Sequence, residues 1–236
     1  MSLLALEHAT KRFTSGQRET HVLRDVALEL SAGELLAVYG LRRSGRTTLL
    51  RVVAGIVPLD AGVVRLEGRE LAGRAGQALG VEIGYCSPLF DPTHGGSVAE
   101  QVAVGLLARG IGRTRARRQA ERALERVGAA ECANLDPRDL HVDELVRAGI
   151  ARALVAAPRV LLLDEPINGL DLHQRDAILA LLRRLADAGM AILMTTGEPV
   201  AGLDRVLVLA AGQLRADVPA DPGVPALPSR HVEPVG

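Results

Sequence analysis

An α/β fold is what this sequence predicts, on three observations. Four apolar residues, Val160 to Leu163, run without alternation into Asp164-Glu165 and are stopped by Pro166, the pattern of a strand buried on both faces that presents two carboxylates at its C-terminal edge. A second such run, Glu34 to Tyr39, leads into a glycine-bounded turn and then into Thr47 to Ala54, which has helical character and is closed by Gly55. A third alternation follows the acidic pair, where the amphipathic stretch Arg175 to Ala188 separates the first apolar run from another at Ala191. In open α/β sheets ligands bind at the carboxyl ends of the strands, so both turns are candidate site elements.

The remaining elements are consistent with that order. Residues 3–38 suit an N-terminal antiparallel β layer followed by the first core strand, and 40–85 carry the turn, its helix and further strands, with turns near Gly62 and Gly68. After a loop rich in Pro, Gly and Asp (Pro88 to Gly96), the chain to about residue 157 is mainly helical, a helical subdomain spanning about 86–157. Residues 159–213 return to strand, helix and strand, with Val206 to Gln213 as the closing strand and turn. The main domain therefore spans 1–216. From Asp217 the recurrence of Pro219, Pro222, Pro225, Pro228 and Pro234 predicts a flexible tail over 217–236 that adds nothing to the core.

At 236 residues the chain fits one large domain with ample apolar content for a core. Lys and Arg together number 28 and Asp and Glu 28, a formal net charge of zero, which argues against a broad nucleic-acid surface. The local run of Arg109, Arg113, Arg115, Arg117, Arg118, Arg122 and Arg126 is interleaved with Ala120, Ala123 and Leu124, the spacing of a solvated helical face. Cys86 and Cys132 are far apart and form no metal-type spacing, which suits a reduced compartment. No apolar run approaches the roughly 20 residues that span a bilayer, and Met1 to Phe13 alternates like a strand rather than a signal peptide. Membrane contact is accordingly expected only through a partner.

The chemistry lies in the two turns. Gly40-Leu41-Arg42-Arg43-Ser44-Gly45-Arg46-Thr47-Thr48 matches the G-x-x-x-x-G-K-[ST] phosphate loop at every fixed position except the lysine, which is Arg46. In the strand, turn and helix context, backbone N–H groups of the turn and of the helix N-terminus face a bound anion. Thr47 would add a hydroxyl ligand to Mg²⁺ and Asp164 a carboxylate, while Glu165 would orient or deprotonate a water.

Together these residues resemble the nucleotide-binding domain of ABC transporters, over roughly residues 3–215. The resemblance implies a P-loop NTPase fold with a RecA-like core, an N-terminal antiparallel β layer and a helical subdomain. Phe13 sits where the family has an aromatic that stacks on adenine, and Gly169-Leu170-Asp171 is similar to the D-loop at the dimer interface. Leu124 to Gly128 and Ala148 to Leu154 resemble the segments before and after the family's signature motif. Two such domains would face each other head to tail, each ATP lying between one phosphate loop and the other's signature.

The departures from the family are specific. Arg46 replaces the lysine that reaches the β- and γ-phosphates, and its planar fork cannot fill the place of a compact ammonium unaltered. Arg43 stands where the family usually has glycine, so its side chain either forces the turn open or leans over the phosphates. Pro88 occupies the place of the Q-loop glutamine, and Gly197 that of the switch histidine. The signature, usually LSGGQ, is Leu140-His141-Val142-Asp143-Glu144 here, with Val142 and Asp143 at the two glycine positions. Arg46, Pro88 and Gly197 would impair the site that this chain builds, and Val142, Asp143 and Glu144 its partner's. The sequence G-R-T at the lysine position also resembles the second nucleotide domain of some sugar importers, so retained hydrolysis stays open beside impaired hydrolysis.

The resulting expectation is an ATP-binding subunit of an ABC transporter complex, using ATP and Mg²⁺. It would lie peripherally on the cytoplasmic face of the membrane, bound to a transmembrane permease subunit and to a second nucleotide-binding domain, with hydrolysis impaired. Two alternatives stand beside it: a non-catalytic scaffold or regulatory partner, and a soluble ABC-type ATPase outside transport. The second is disfavoured because the chain has neither long coiled coils nor a duplicated domain.

Overall fold

The computed structural model describes residues 2–16, 18–71, 82–87 and 95–218. In chain order the elements are β1 (Ser2–Ser15), β2 (Arg18–Ser31), β3 (Leu35–Tyr39), α1 (Arg46–Val53), β4 (Ala61–Leu66), β5 (Arg69–Glu70) and β6 (Ile83–Cys86). They continue as α2 (Val98–Leu107), α3 (Arg113–Arg126), α4 (Val142–Leu154), β7 (Val160–Leu163), α5 (Leu172–Asp187), β8 (Ala191–Thr196), β9 (Arg205–Ala210) and β10 (Gln213–Val218). Two 3-10 turns, Ala130–Asn134 and Pro137–Asp139, link α3 to α4.

The strands form two sheets. β2-β1-β4-β5 is a four-stranded antiparallel layer, and β10-β9-β3-β8-β7-β6 is a six-stranded sheet, parallel except for β10 at its edge. The unbroken apolar run of β7 follows from burial on both faces. Leu161 and Leu163 join a core shared with the helices, whereas Val160 and Leu162 join a core shared with α1 and the antiparallel layer. One strand thus ties the two cores together, with all four side chains fully buried.

The helices obey their sequence pattern. α3 buries Ala116, Ala120, Ala123 and Leu124 and turns its arginines outward, the solvated face expected of the charge run. Arg117 is held by Glu121 one turn on and by Asn134. α2 opens with a capping box in which the Ser97 hydroxyl accepts from the Glu100 N–H and the Glu100 carboxylate accepts from the Ser97 N–H.

Two local expectations are corrected. Gly62 is not in a turn; it lies inside β4 at φ +93°, where a Cβ would come within 2.4 Å of the His8 carbonyl oxygen. The glycine is therefore required by close backbone approach at an irregularity in the β1–β4 pairing, between Glu7 and Thr10. Asp217 and Val218, assigned to the tail by their prolines-to-come, belong to β10, with Val218 opposite Val206. The tail from residue 219 and Pro88 both lie outside the described residues.

Both cysteines are buried and unpaired. Burial pushes the Cys86 thiol up to about 12 and that of Cys132 up to about 11. Each pKa is raised in the folded state, so the stability that the neutral thiols contribute is complete below the ordinary thiol value and is lost as pH rises past it. The native protein should therefore take up no thiol reagent at pH 8 over minutes, both thiols should react in urea, and the urea midpoint should fall above about pH 9.

Candidate functional site

Strand register assembles the site. In the parallel sheet Tyr39 pairs with Thr196 and Leu163 with Met194, so the turn leaving β3 and the acidic pair leaving β7 flank the end of β8 on opposite sides. β8 is apolar until it closes on Thr195-Thr196, both buried. The Gly40 N–H donates to the Thr196 carbonyl oxygen at 3.2 Å, and the Thr195 hydroxyl donates to Asp164 Oδ1 at 2.8 Å. The Glu165 N–H donates in turn to the Thr195 hydroxyl at 3.0 Å.

The glycines of the loop are steric necessities. A Cβ on Gly40 would fall 2.5 Å from Ser44 Oγ and 2.7 Å from the Leu209 carbonyl oxygen. Gly45, at φ +106°, ends the loop as the cap of α1, and no side chain caps that helix. Its first-turn N–H groups, with the positive end of the helix dipole, are therefore offered to a ligand. Arg43 adopts φ +65°. The turn keeps its left-handed residue although a side chain is present, at a cost of roughly 1–2 kcal/mol. The Arg43 side chain is exposed.

Two side-chain contacts, one hydrogen bond and one ion pair, join the loop to the acidic pair. The Thr47 hydroxyl donates to Asp164 Oδ1 at 3.3 Å, so these two side chains meet as the sequence predicted. Asp164 is 3% exposed, and the two hydroxyls that donate to it compensate a buried carboxylate. Arg46 Nη2 donates to Glu165 Oε1 at 2.6 Å, while Arg46 Nη1 is buried without an acceptor. A buried donor left unpaired costs about 1–3 kcal/mol. The Ser44 hydroxyl is likewise buried without a partner. Glu165 itself sits at φ +51°, a strained conformation for a non-glycine residue.

Around these groups is an open cleft of about 1210 Å³, lined by the whole loop from Leu41 to Thr48, by Glu165 and Asn168, and by Thr196 to Glu198. Thr20 and Val22 of β2 also line it. Phe13 does not line it, although Phe13 pairs with Thr20 across the hairpin; its ring is 45% exposed with the Lys11 ammonium 5.4 Å from its centroid.

A metal would find a fitting donor set here. No cluster of three or more His, Cys, Asp or Glu exists among the described residues. Mg²⁺, however, is commonly held by one or two carboxylates together with substrate phosphates rather than by a protein cage. Asp164 would supply such a carboxylate, with the Thr47 hydroxyl beside it.

The segment predicted to meet a partner lies apart, at the start of α4. His141 caps that helix and its N–H donates to Glu144 Oε2 at 2.7 Å. Asp143 Oδ1 accepts from Gln174 Nε2 at 3.3 Å, and Gln174 also closes a capping box with Asp171 at the start of α5. One glutamine thus links Asp143 to Asp171. Leu140 is buried, whereas Val142 is 52% exposed.

A family model described as ABC transporter matches residues 23–168, a span that holds the loop, the acidic pair and most of the helices. The chain belongs to the ABC transporter family. It is 34% identical over 240 residues to methionine import ATP-binding protein MetN 1 of Rhodococcus jostii, covering 98% of this chain and 70% of that one. It is 37% identical to the Fe(3+) ions import ATP-binding protein FbpC of Streptomyces coelicolor, covering 90% of this chain and 61% of the relative. Against the macrolide export ATP-binding/permease protein MacB of Salmonella choleraesuis it is 28% identical and spans only 35% of that length. Among solved structures, a dimeric ATP-binding cassette bound to ADP and phosphate superposes with a TM-score of 0.82 at 22% identity, covering 92% of this chain and 99% of that one. The cbiO1 protein of Clostridium perfringens, part of the ABC transporter complex cbiONQ, gives a TM-score of 0.79 at 24% identity, over 92% and 88% of the two chains.

For an ABC transporter domain, the site contains a structural residue that the motifs did not single out. Thr195 bridges Asp164 and the backbone of Glu165. Its signal was present in the sequence: a threonine pair closing an otherwise apolar strand, as the acidic pair closes β7. Gly40→Ala should collapse the loop geometry, lowering stability by about 2–4 kcal/mol in urea titrations. The same replacement at Gly95, where a Cβ meets nothing within 4 Å, should leave stability within about 0.5 kcal/mol.

Proposed function

We propose that this chain is the ATP-binding subunit of a membrane transport complex, that it binds Mg-ATP in the cleft at the ends of β3, β7 and β8, and that it hydrolyses ATP slowly. The observation that carries the reading is the contact between the Thr47 hydroxyl and Asp164, which brings the phosphate loop and the acidic strand end to one point. In this proposal Gly40 to Thr48 hold the phosphates, Thr47 and Asp164 hold Mg²⁺, and Phe13 stacks on adenine. Bound there, Mg²⁺ would neutralise charge on the phosphate oxygens. Thr195 fixes the Asp164 carboxylate and the Glu165 backbone, and Glu165 is the group suited to accept a proton from water.

Slow hydrolysis has a physical basis in three places. The Glu165 carboxylate is engaged by Arg46, so the base is held by a cation within its own subunit. Gly197 offers no side chain to a transferring phosphoryl group. At the start of α4, Asp143 and Glu144 lie in the first turn, where their charges complement the helix dipole and repel a phosphate. Loss of one group that stabilises a transferring phosphoryl can cost on the order of 10³ in rate. The losses need not multiply.

Partner proposals follow the same reading. A second nucleotide-binding domain would meet Asp171 and Leu140 to Glu144. A permease subunit would dock on the helical subdomain, about 86–157, where exposed Val104 and Leu107 line a groove of about 580 Å³ beside Arg113 and Arg117. An amphipathic segment with carboxylates fits that groove. The subunit would then sit on the cytoplasmic face of the membrane through its partner. No helix among the described residues is long and apolar enough to cross a membrane. The two-part division, one main domain followed by a Pro-rich tail that starts after β10, belongs to this proposal.

Calorimetry with Mg-ATP should detect binding that weakens at least about tenfold in Asp164→Asn, while phosphate release stays below about 1 per second with or without the membrane partner. Faster release that disappears in Glu165→Gln would overturn slow hydrolysis. Absent binding, unchanged by Asp164→Asn, would replace the reading with that of a scaffold.

A further inference from the structure

β8 is apolar until it reaches Thr195, whose side chain is fully buried; the next residue, Thr196, lines the cleft. A valine would fill the same space without a hydroxyl, and a buried hydroxyl costs stability unless it is hydrogen-bonded. Here it is bonded twice. The Glu165 N–H reaches the Thr195 oxygen at 3.0 Å. An amide can only donate, so the oxygen accepts there, and the single hydroxyl proton goes to Asp164 Oδ1 at 2.8 Å. Chemistry thus fixes the direction of the chain of bonds: amide to hydroxyl to carboxylate. The Thr47 hydroxyl adds a second donor to the same oxygen at 3.3 Å. Among the described residues, no hydrogen bond ends on Asp164 Oδ2.

We propose that Thr195 determines which divalent ion the site accepts: by holding Oδ1, it leaves Asp164 a single oxygen, Oδ2, to offer, and so favours Mg²⁺ over Ca²⁺. This rests on the nucleotide- and metal-binding reading above and deepens it. The two ions make different demands on a carboxylate. Ca²⁺ gathers about six to eight oxygens in flexible geometry and readily takes both oxygens of one carboxylate, whereas Mg²⁺ keeps a tight octahedron. A carboxylate with one oxygen already engaged therefore denies Ca²⁺ a ligand and denies Mg²⁺ none. Thr195 acts through Asp164, as a positioning residue. Its second contact serves the same end. The Glu165 N–H stops the hydroxyl from rotating away, and Glu165 itself stands at φ +51°, so the strand end that carries Asp164 is held at both residues. The Asp164 carboxylate has little freedom to turn and present Oδ1, since it is 3% exposed.

The test uses the full chain with a non-hydrolysable ATP analogue and bound Mn²⁺, displaced in turn by Mg²⁺ and by Ca²⁺ and followed by paramagnetic resonance. Thr195→Val keeps the shape and removes the hydroxyl; it should lower the preference for Mg²⁺ over Ca²⁺ about tenfold. Thr195→Ser keeps the hydroxyl and should hold the preference within about twofold of that of the unaltered chain. A merely structural role would weaken both ions by the same factor and leave the ratio unmoved, and thermal melting records that loss separately. Thr195→Ala, which also lacks the hydroxyl, gives the same reading if Thr195→Val does not fold. An unmoved ratio in a folded variant without the hydroxyl, or a ratio that falls as far in Thr195→Ser, would overturn the inference while leaving nucleotide and metal binding in place. An unaltered chain that binds no Mn²⁺ beside the analogue would overturn the underlying reading and this inference with it.

Discussion

The register of three parallel strands is the constraint on which everything else depends. β3 and β8 end level with each other and β7 ends two residues earlier, and that alignment sets the glycine loop on one side of the Thr195-Thr196 end and the acidic pair on the other. A slip of one residue would exchange the side chains of β7 between the two cores and carry Asp164 away from Thr47. The two cores enforce the register, since β7 contributes alternate residues to both. The functional geometry is thus a by-product of burial: hydrophobic packing places the strand ends, and the polar groups at those ends make the site.

The site has an unusual internal balance of charge. Among the described residues Asp164 accepts side-chain hydrogen bonds from two hydroxyls, whereas Glu165 is engaged by Arg46. Among the described residues, one carboxylate is thus met by hydroxyls and its neighbour by a guanidinium. The start of α4 shows the converse arrangement. A helix N-terminus is a natural anion site, yet here its first turn carries Asp143 and Glu144, and Asp143 is tied through Gln174 to the cap of the next helix. This segment is organised for intramolecular order around its own carboxylates.

Much of this was legible in the sequence because it rests on strong local signals. Continuous apolar runs marked β3 and β7, glycine spacing marked the loop, and the Asp164-Glu165 pair marked the strand end. The solvated face of α3 was readable from the alanine spacing among its arginines. What escaped was set by tertiary contact. Gly62 resembled a turn glycine, but a carbonyl from β1 presses on it inside a strand. Thr195 resembled ordinary strand filling until its hydroxyl was seen to bridge the acidic pair. The ion pair between Arg46 and Glu165 and the seat of Arg46 on Gly197 join residues remote in sequence, and no local pattern encodes such pairing. Phe13 was singled out by resemblance alone, and its ring lies outside the cleft lining.

Manganese provides the most direct test of the central claim, that Thr47 and Asp164 serve one metal ion beside a nucleotide. Paramagnetic resonance titration with Mn²⁺ should show one tightly bound ion per chain only when ATP is present, lost in Asp164→Asn and weakened about tenfold or more in Thr47→Val. Ion binding that is indifferent to both substitutions would contradict the account.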